Sequence, residues 1–209
     1  MTHDRPLALK PVVLASASRT RRSLLEAVGL DVEAVPSGLD ERAMIDAIVQ
    51  DTEEDLPPAD VASVLAAAKA DAVSANRPGA IVIGADQTLE LDGELFVKPE
   101  SIEQARSNLL RLRGKTHLLH AAVAIVRDGE QLWSTLETAA LTMRDFTPQF
   151  LGRYSVAAGE DMLDSVGSYR VEGLGLQLFE HIDGDHATIL GLPLLPVLAE
   201  LRKLGVVEK

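Results

Sequence analysis

Residues 80–85, Ala-Ile-Val-Ile-Gly-Ala, offer no polar side chain to turn toward water, and they read as a buried strand. Such a strand needs partners at its edges and apolar cover on its faces, so the rest of the chain must supply both. Thr88 to Leu91, an Asp92-Gly93 turn and Glu94 to Val97 follow it as a hairpin. His117 to Val126 and Gln131 to Met143 give two further strands around Asp128-Gly129, and Val32 to Val35 a short extended stretch.

Helical patterns alternate with these strands. The short apolar run Pro11 to Ala15 ends in Ser16, and a helix opens near Ser18, turns Leu24, Leu25 and Val28 to one face, and stops at Gly29. Others run from Asp60 to Ala75, from Ser101 to Leu112 behind a Ser101/Gln104 capping box, from Thr147-Pro148, and after Pro193. Asp40 to Pro58 is acidic with weak periodicity, while a glycine-rich loop precedes a strand expected over Leu176 to Ile182. Crossover helices and hairpins together predict an α/β fold with a mixed sheet. No repeat or linker divides the chain, so residues 1–209 are expected to form a single domain, with no marked boundary for two lobes.

The net charge of −12 argues against duplex nucleic acid as a partner, and 3% aromatic residues are too few for a base-stacking platform. A polyanion can still bind where cations are locally concentrated. Cysteine is absent, which removes disulfides and thiolate chemistry and fits a reducing compartment. Met1 to Ala15 lacks the apolar length of a leader, and no run reaches the roughly 18 residues of a membrane span. The expectation is a soluble, cytoplasmic protein.

Three segments could carry chemistry. Ser16-Ala17-Ser18-Arg19-Thr20-Arg21-Arg22 places hydroxyls and guanidinium groups where a strand end meets a helix start, a phosphate site in outline. By itself it also reads as a serine-capped surface helix. Gly84-Ala85-Asp86-Gln87 sets a carboxylate directly after the buried strand, and the hairpin is expected to fold Lys98, before Pro99, back toward Asp86. Ser165 to Gly175 has glycines that admit a ligand close to the backbone, without Walker or dinucleotide spacing. Asp40 and Glu41 are candidate metal ligands, whereas His117, His120, His181 and His186 read as structural.

Taken in order, Ala15 to Arg22, Gly84 to Asp86, Lys98-Pro99, Gly167 to Gly175 and Gly191 to Leu194 resemble the motif series of the Maf family of nucleotide pyrophosphatases. The resemblance implies an elongated α/β fold with a cleft between two lobes, homodimers, and a divalent metal, Mg²⁺ or Mn²⁺. It implies cleavage of a nucleoside triphosphate between its α- and β-phosphates to nucleoside monophosphate and pyrophosphate.

By matching position, Ser16, Ser18, Arg21 and Arg22 would hold phosphates, with Glu41 and Lys69 joining the cleft. Asp86 would be the catalytic acidic residue and, with Glu41, a metal ligand, and Lys98 would stabilise developing charge. Gln87 and Glu172 match the family's 7-methyl-GTP group rather than its dTTP/UTP group, which shows Thr and Gln there. Thr20 matches neither, since those groups carry Trp and Arg respectively. The alternatives are a dTTP/UTP pyrophosphatase and a non-catalytic nucleotide-binding regulator of septum formation.

Overall fold

A computed structural model describes residues 8–51 and 56–208. Residues 1–7, part of the stretch read for a leader, and 52–55 of the acidic segment lie outside them. At the centre runs β3 (Val82–Leu91), flanked by β1 (Val12–Leu14) and β5 (Thr116–Arg127). β1 pairs in parallel with β3 and with β2 (Val32–Ala34). The remaining pairings are antiparallel: β4 (Glu94–Phe96) on β3, β3 on β5, β5 on β6 (Glu130–Met143), and β6 on β7 (Phe179–Asp183). The sheet is mixed, as expected.

Local chemistry sets the element ends. Ser18 caps α1 (Arg19–Ala27) by accepting a bond from the Arg21 N–H at 3.3 Å. Asp92-Gly93 and Asp128-Gly129 have positive φ at both residues, the mirror-type turn whose twist matches its flanking strands. Ser101 caps α4 (Ile102–Leu112), although Gln104 reaches back to the N–H of Glu100 rather than that of Ser101. Thr147 caps α5 (Pro148–Ala158).

Side chains alternate across β3, so its two faces meet different partners. Ile83 and Ala85 belong to one apolar core with Leu14, Leu25 of α1, Val123 and Val197. Leu89 and Leu91, on the same face, belong to another with Leu109, Leu141, Met143 and Leu151. Gln87 falls between the two cores, and this polar gap separates two lobes on one sheet. The opposite face receives α3 (Pro58–Ser74) at close range: a Cβ on Gly84 would lie 2.1 Å from the Ala66 carbonyl oxygen, which only glycine avoids.

Three expectations are corrected. Asp86 stands inside β3, because the ladder with β5 continues unbroken from Val82 to Glu90 and the polar side chains find partners off the sheet. Part of the acidic segment is helical as α2 (Glu41–Asp51), opened by Asp40, whose carboxylate accepts from the Ala43 N–H at 3.0 Å. Leu174–Leu178 is a 3₁₀ turn rather than strand, coiled by the bonds Gly173 N–H to Arg170 C=O and Leu176 N–H to Gly173 C=O, and β7 begins only at Phe179. No helix among the described residues is long and apolar enough to cross a membrane.

Candidate active site

β1 ends on β3 at Ile83 and β4 joins it only at Leu89, so residues 84–88 of β3 keep an open edge. A cavity of about 900 Å³ opens there, lined by the start of α1, by α2, by Lys69 of α3, by Asp86 and Gln87, by Lys98, and by the loop from Asp164 to Glu172. Asp86 and Lys69 are both buried, at 6% and 4% exposure. The Lys69 ammonium donates to Asp86 at 2.5 Å and lies 2.8 Å from Glu41, so one lysine gathers two carboxylates. Burial raises the pKa of Asp86, against the lowering pull of Lys69 and Arg21. The result is a carboxylate more basic than usual within a polar cavity, suited to accept a proton from water or to ligate a metal.

Lys98, expected to fold back toward Asp86, lies exposed on the wall of the same cavity, and the direct contact with Asp86 is made by Lys69. The reason is burial, since α3 brings its lysine under the sheet whereas Lys98 follows β4 at the surface. Arg22, matched as a phosphate holder, is exposed, pairs with Glu26 at 2.7 Å, and is not among the residues lining the cavity.

Arg21 is tied into the fold. Its Nε donates to Gly191 C=O and its Nη1 to Ala85 C=O, both at 2.9 Å, so it fills the open edge of β3. Burial lowers its pKa, while Asp86 and then Glu41 pull it back up. Gly191 has φ +87°, and a Cβ there would sit 3.1 Å from the Arg21 guanidinium, which accounts for glycine at the head of Gly191-Leu192-Pro193-Leu194. Gln87 acts similarly toward α6 (His186–Ile189): its amide nitrogen donates to Thr188 C=O at 3.1 Å and Ile189 C=O at 3.0 Å. Both amide hydrogens are thereby used, leaving Oε1 as an acceptor.

The glycine-rich loop also lines the cavity, and hydrogen bonds brace it. Ser165 exchanges hydrogen bonds with the backbone of Tyr169, at 2.8 and 3.1 Å. The Tyr169 hydroxyl meets His117 Nε2 at 2.6 Å, and the Tyr154 hydroxyl donates to Ser168 C=O at 3.1 Å. Burial pulls His117 down to about 4 and pushes Tyr169 up, so both are neutral at pH 7 and the bond is structural. Arg170 pairs with Asp164 at 2.5 Å, and Glu172 is exposed on the wall.

The cavity is lined by six cations, Arg19, Arg21, Arg42, Lys69, Lys98 and Arg170, against four carboxylates, Glu41, Asp86, Asp164 and Glu172. Ser16, Ser18 and Thr20 line it as well. Sequence reasoning did not single out Arg19, Arg42, Arg170 or Asp164 as site residues. The only local signal was the clustering of arginines around Ser18. Among the described residues no group of three or more acidic or histidine side chains converges as a metal cage, so Asp86 and Glu41 are the carboxylates on hand. One or two carboxylates plus substrate phosphates is how Mg²⁺ is commonly held.

The family model described as Maf-like protein matches residues 11–204. This chain belongs to the Maf family. Among its Maf relatives, the 7-methyl-GTP pyrophosphatase of Mesorhizobium japonicum is 53% identical over 197 residues, 94% of this chain and 98% of the relative. The 7-methyl-GTP pyrophosphatase of Brucella abortus is 50% identical over 92% of this chain and 95% of its own length. The nucleoside triphosphate pyrophosphatase of Caulobacter vibrioides is 48% identical over 95% of this chain and 98% of its own. The Maf motifs thus map onto one cavity: the serine-arginine segment, Asp86, Lys98 and the glycine-rich loop line it, and Gly191 accepts a hydrogen bond from Arg21.

Proposed function

We propose that this Maf protein hydrolyses 7-methyl-GTP to 7-methyl-GMP and pyrophosphate. The observation that carries the reading is one cavity that joins Lys69 and Arg21 around Asp86, for the triphosphate, to acceptors for the base at Gln87 Oε1 and Glu172. Guanine offers N1–H and an amino group to such acceptors, and methylation at N7 adds a positive charge that carboxylates attract. Thymine and uracil present carbonyl oxygens beside a single N–H, which two acceptors meet less well.

In the reaction, water attacks the α-phosphorus, the bond to the bridging oxygen breaks, and pyrophosphate departs. Asp86 accepts the proton of that water. Lys69 holds the Asp86 carboxylate in place, and Arg21 and Lys98 offset the charge that builds on the phosphates. Asp86 and Glu41 would hold a divalent cation, Mg²⁺ or Mn²⁺, which would supply neutralisation of phosphate charge. Ser16 and Ser18 complete the phosphate side, and Thr20 lies beside them. The family resemblance supports a homodimer and the lack of cysteine a cytoplasmic setting, while the single sheet supports reading residues 1–209 as one domain.

Glu172→Gln tests the base-reading role. Gln donates as well as accepts, so the ratio of kcat/KM for 7-methyl-GTP over UTP falls by about tenfold, the scale of one discriminating hydrogen bond. An unchanged ratio removes Glu172 from base recognition, and a wild type that already prefers UTP or dTTP removes the substrate assignment.

A further inference from the structure

The first turn of α1 holds three arginines and no acidic residue, an arrangement that opposes the positive end of the helix dipole. Two of the three are accounted for by the fold. Arg21 donates to the Ala85 and Gly191 carbonyls, and Arg22 pairs with Glu26 outside the cavity. Arg19 lines the cavity, is exposed, and has no hydrogen bond or ion pair among the described residues.

The other cavity cations are mostly committed: Lys69 to Asp86 and Glu41, Arg42 to Glu100, and Arg170 to Asp164. Arg19 and Lys98, among the described cavity cations, have no hydrogen bond or ion pair to another described residue. Resting on the pyrophosphatase reading, we infer that Arg19 grips the terminal phosphate of the substrate and makes the enzyme select triphosphates over shorter nucleotides. Arg21 is fixed beside Ala85, next to buried Asp86 where the scissile bond must lie, while Arg19 stands exposed at the first residue of α1, two residues before it. The part of the substrate beyond the scissile bond is the departing pyrophosphate, which an exposed cation on the cavity wall can reach.

The test compares wild type, Arg19→Ala and Arg19→Lys, reading KM for 7-methyl-GTP and the inhibition constants of 7-methyl-GDP and 7-methyl-GMP. Loss of one charge-assisted phosphate contact raises KM for the triphosphate about tenfold in Arg19→Ala, and leaves inhibition by the monophosphate within about twofold. Arg19→Lys recovers part of the loss, because an ammonium keeps the charge without the planar fork. Thermal stability stays level or rises, since the lost cation opposed the helix dipole. A KM equal to wild type in Arg19→Ala, or an equal loss for monophosphate and triphosphate, overturns the role of Arg19. Wild-type protein that releases no pyrophosphate from 7-methyl-GTP overturns the functional reading instead.

Discussion

Asp86→Asn lowers turnover by about 100-fold or more while leaving KM for the nucleotide within a few-fold, because the amide keeps the size of the side chain and loses its basicity. The substitution takes a charge from the Lys69 pair, yet Glu41 remains 2.8 Å from that ammonium, so the lysine keeps a counter-ion and the melting temperature serves as the folding control. Wild-type activity itself has a sign in pH. Burial raises the pKa of Asp86 above its ordinary 3.8, so activity declines as pH falls through that raised value, above the range of an exposed aspartate. An Asp86→Asn protein with wild-type turnover and unchanged melting would remove Asp86 from the reaction.

Lys69→Met has the largest expected effect on stability. It leaves Asp86 buried and next to Glu41 without the cation that gathers them, and breaking a buried pair from one side costs about 3–5 kcal/mol at neutral pH. Without the lowering pull of Lys69 the pKa of Asp86 rises further, which moves the acid limb of any residual activity to higher pH. The stability deficit follows the same group. With a folded pKa above the unfolded one, the deficit is smallest below the unfolded value, near 4, and grows as pH rises through the folded value. Urea unfolding at pH 4.5 and pH 7.5 checks this: a deficit that is the same at both, or larger at the lower pH, contradicts the buried pair.

Much of the scaffold was legible because its signals are local. Ser18 caps α1, Thr147-Pro148 opens α5, and the two Asp-Gly turns take the positive φ values that their residues favour. Lys69 and Asp86 entered as matched positions in a motif series, and their contact was not legible, because it depends on α3 packing so close that β3 needs Gly84. For the same reason Asp86 read as a strand end: a carboxylate inside a buried strand is allowed only by a partner 17 residues away. Arg21 and Arg22 look equivalent in the sequence, and they differ only because the helix aims one at the open edge of β3 and the other at Glu26. Gln87 was legible as a specificity position, but its locked amide depends on α6, about 100 residues further along the chain.

Phosphorus NMR of 7-methyl-GTP incubated with the protein and Mg²⁺ or Mn²⁺ tests for cleavage between the α- and β-phosphates. 7-Methyl-GMP and pyrophosphate are expected in equal amounts, with no diphosphate intermediate. Accumulation of 7-methyl-GDP with orthophosphate, or an intact triphosphate with either metal, would contradict that cleavage.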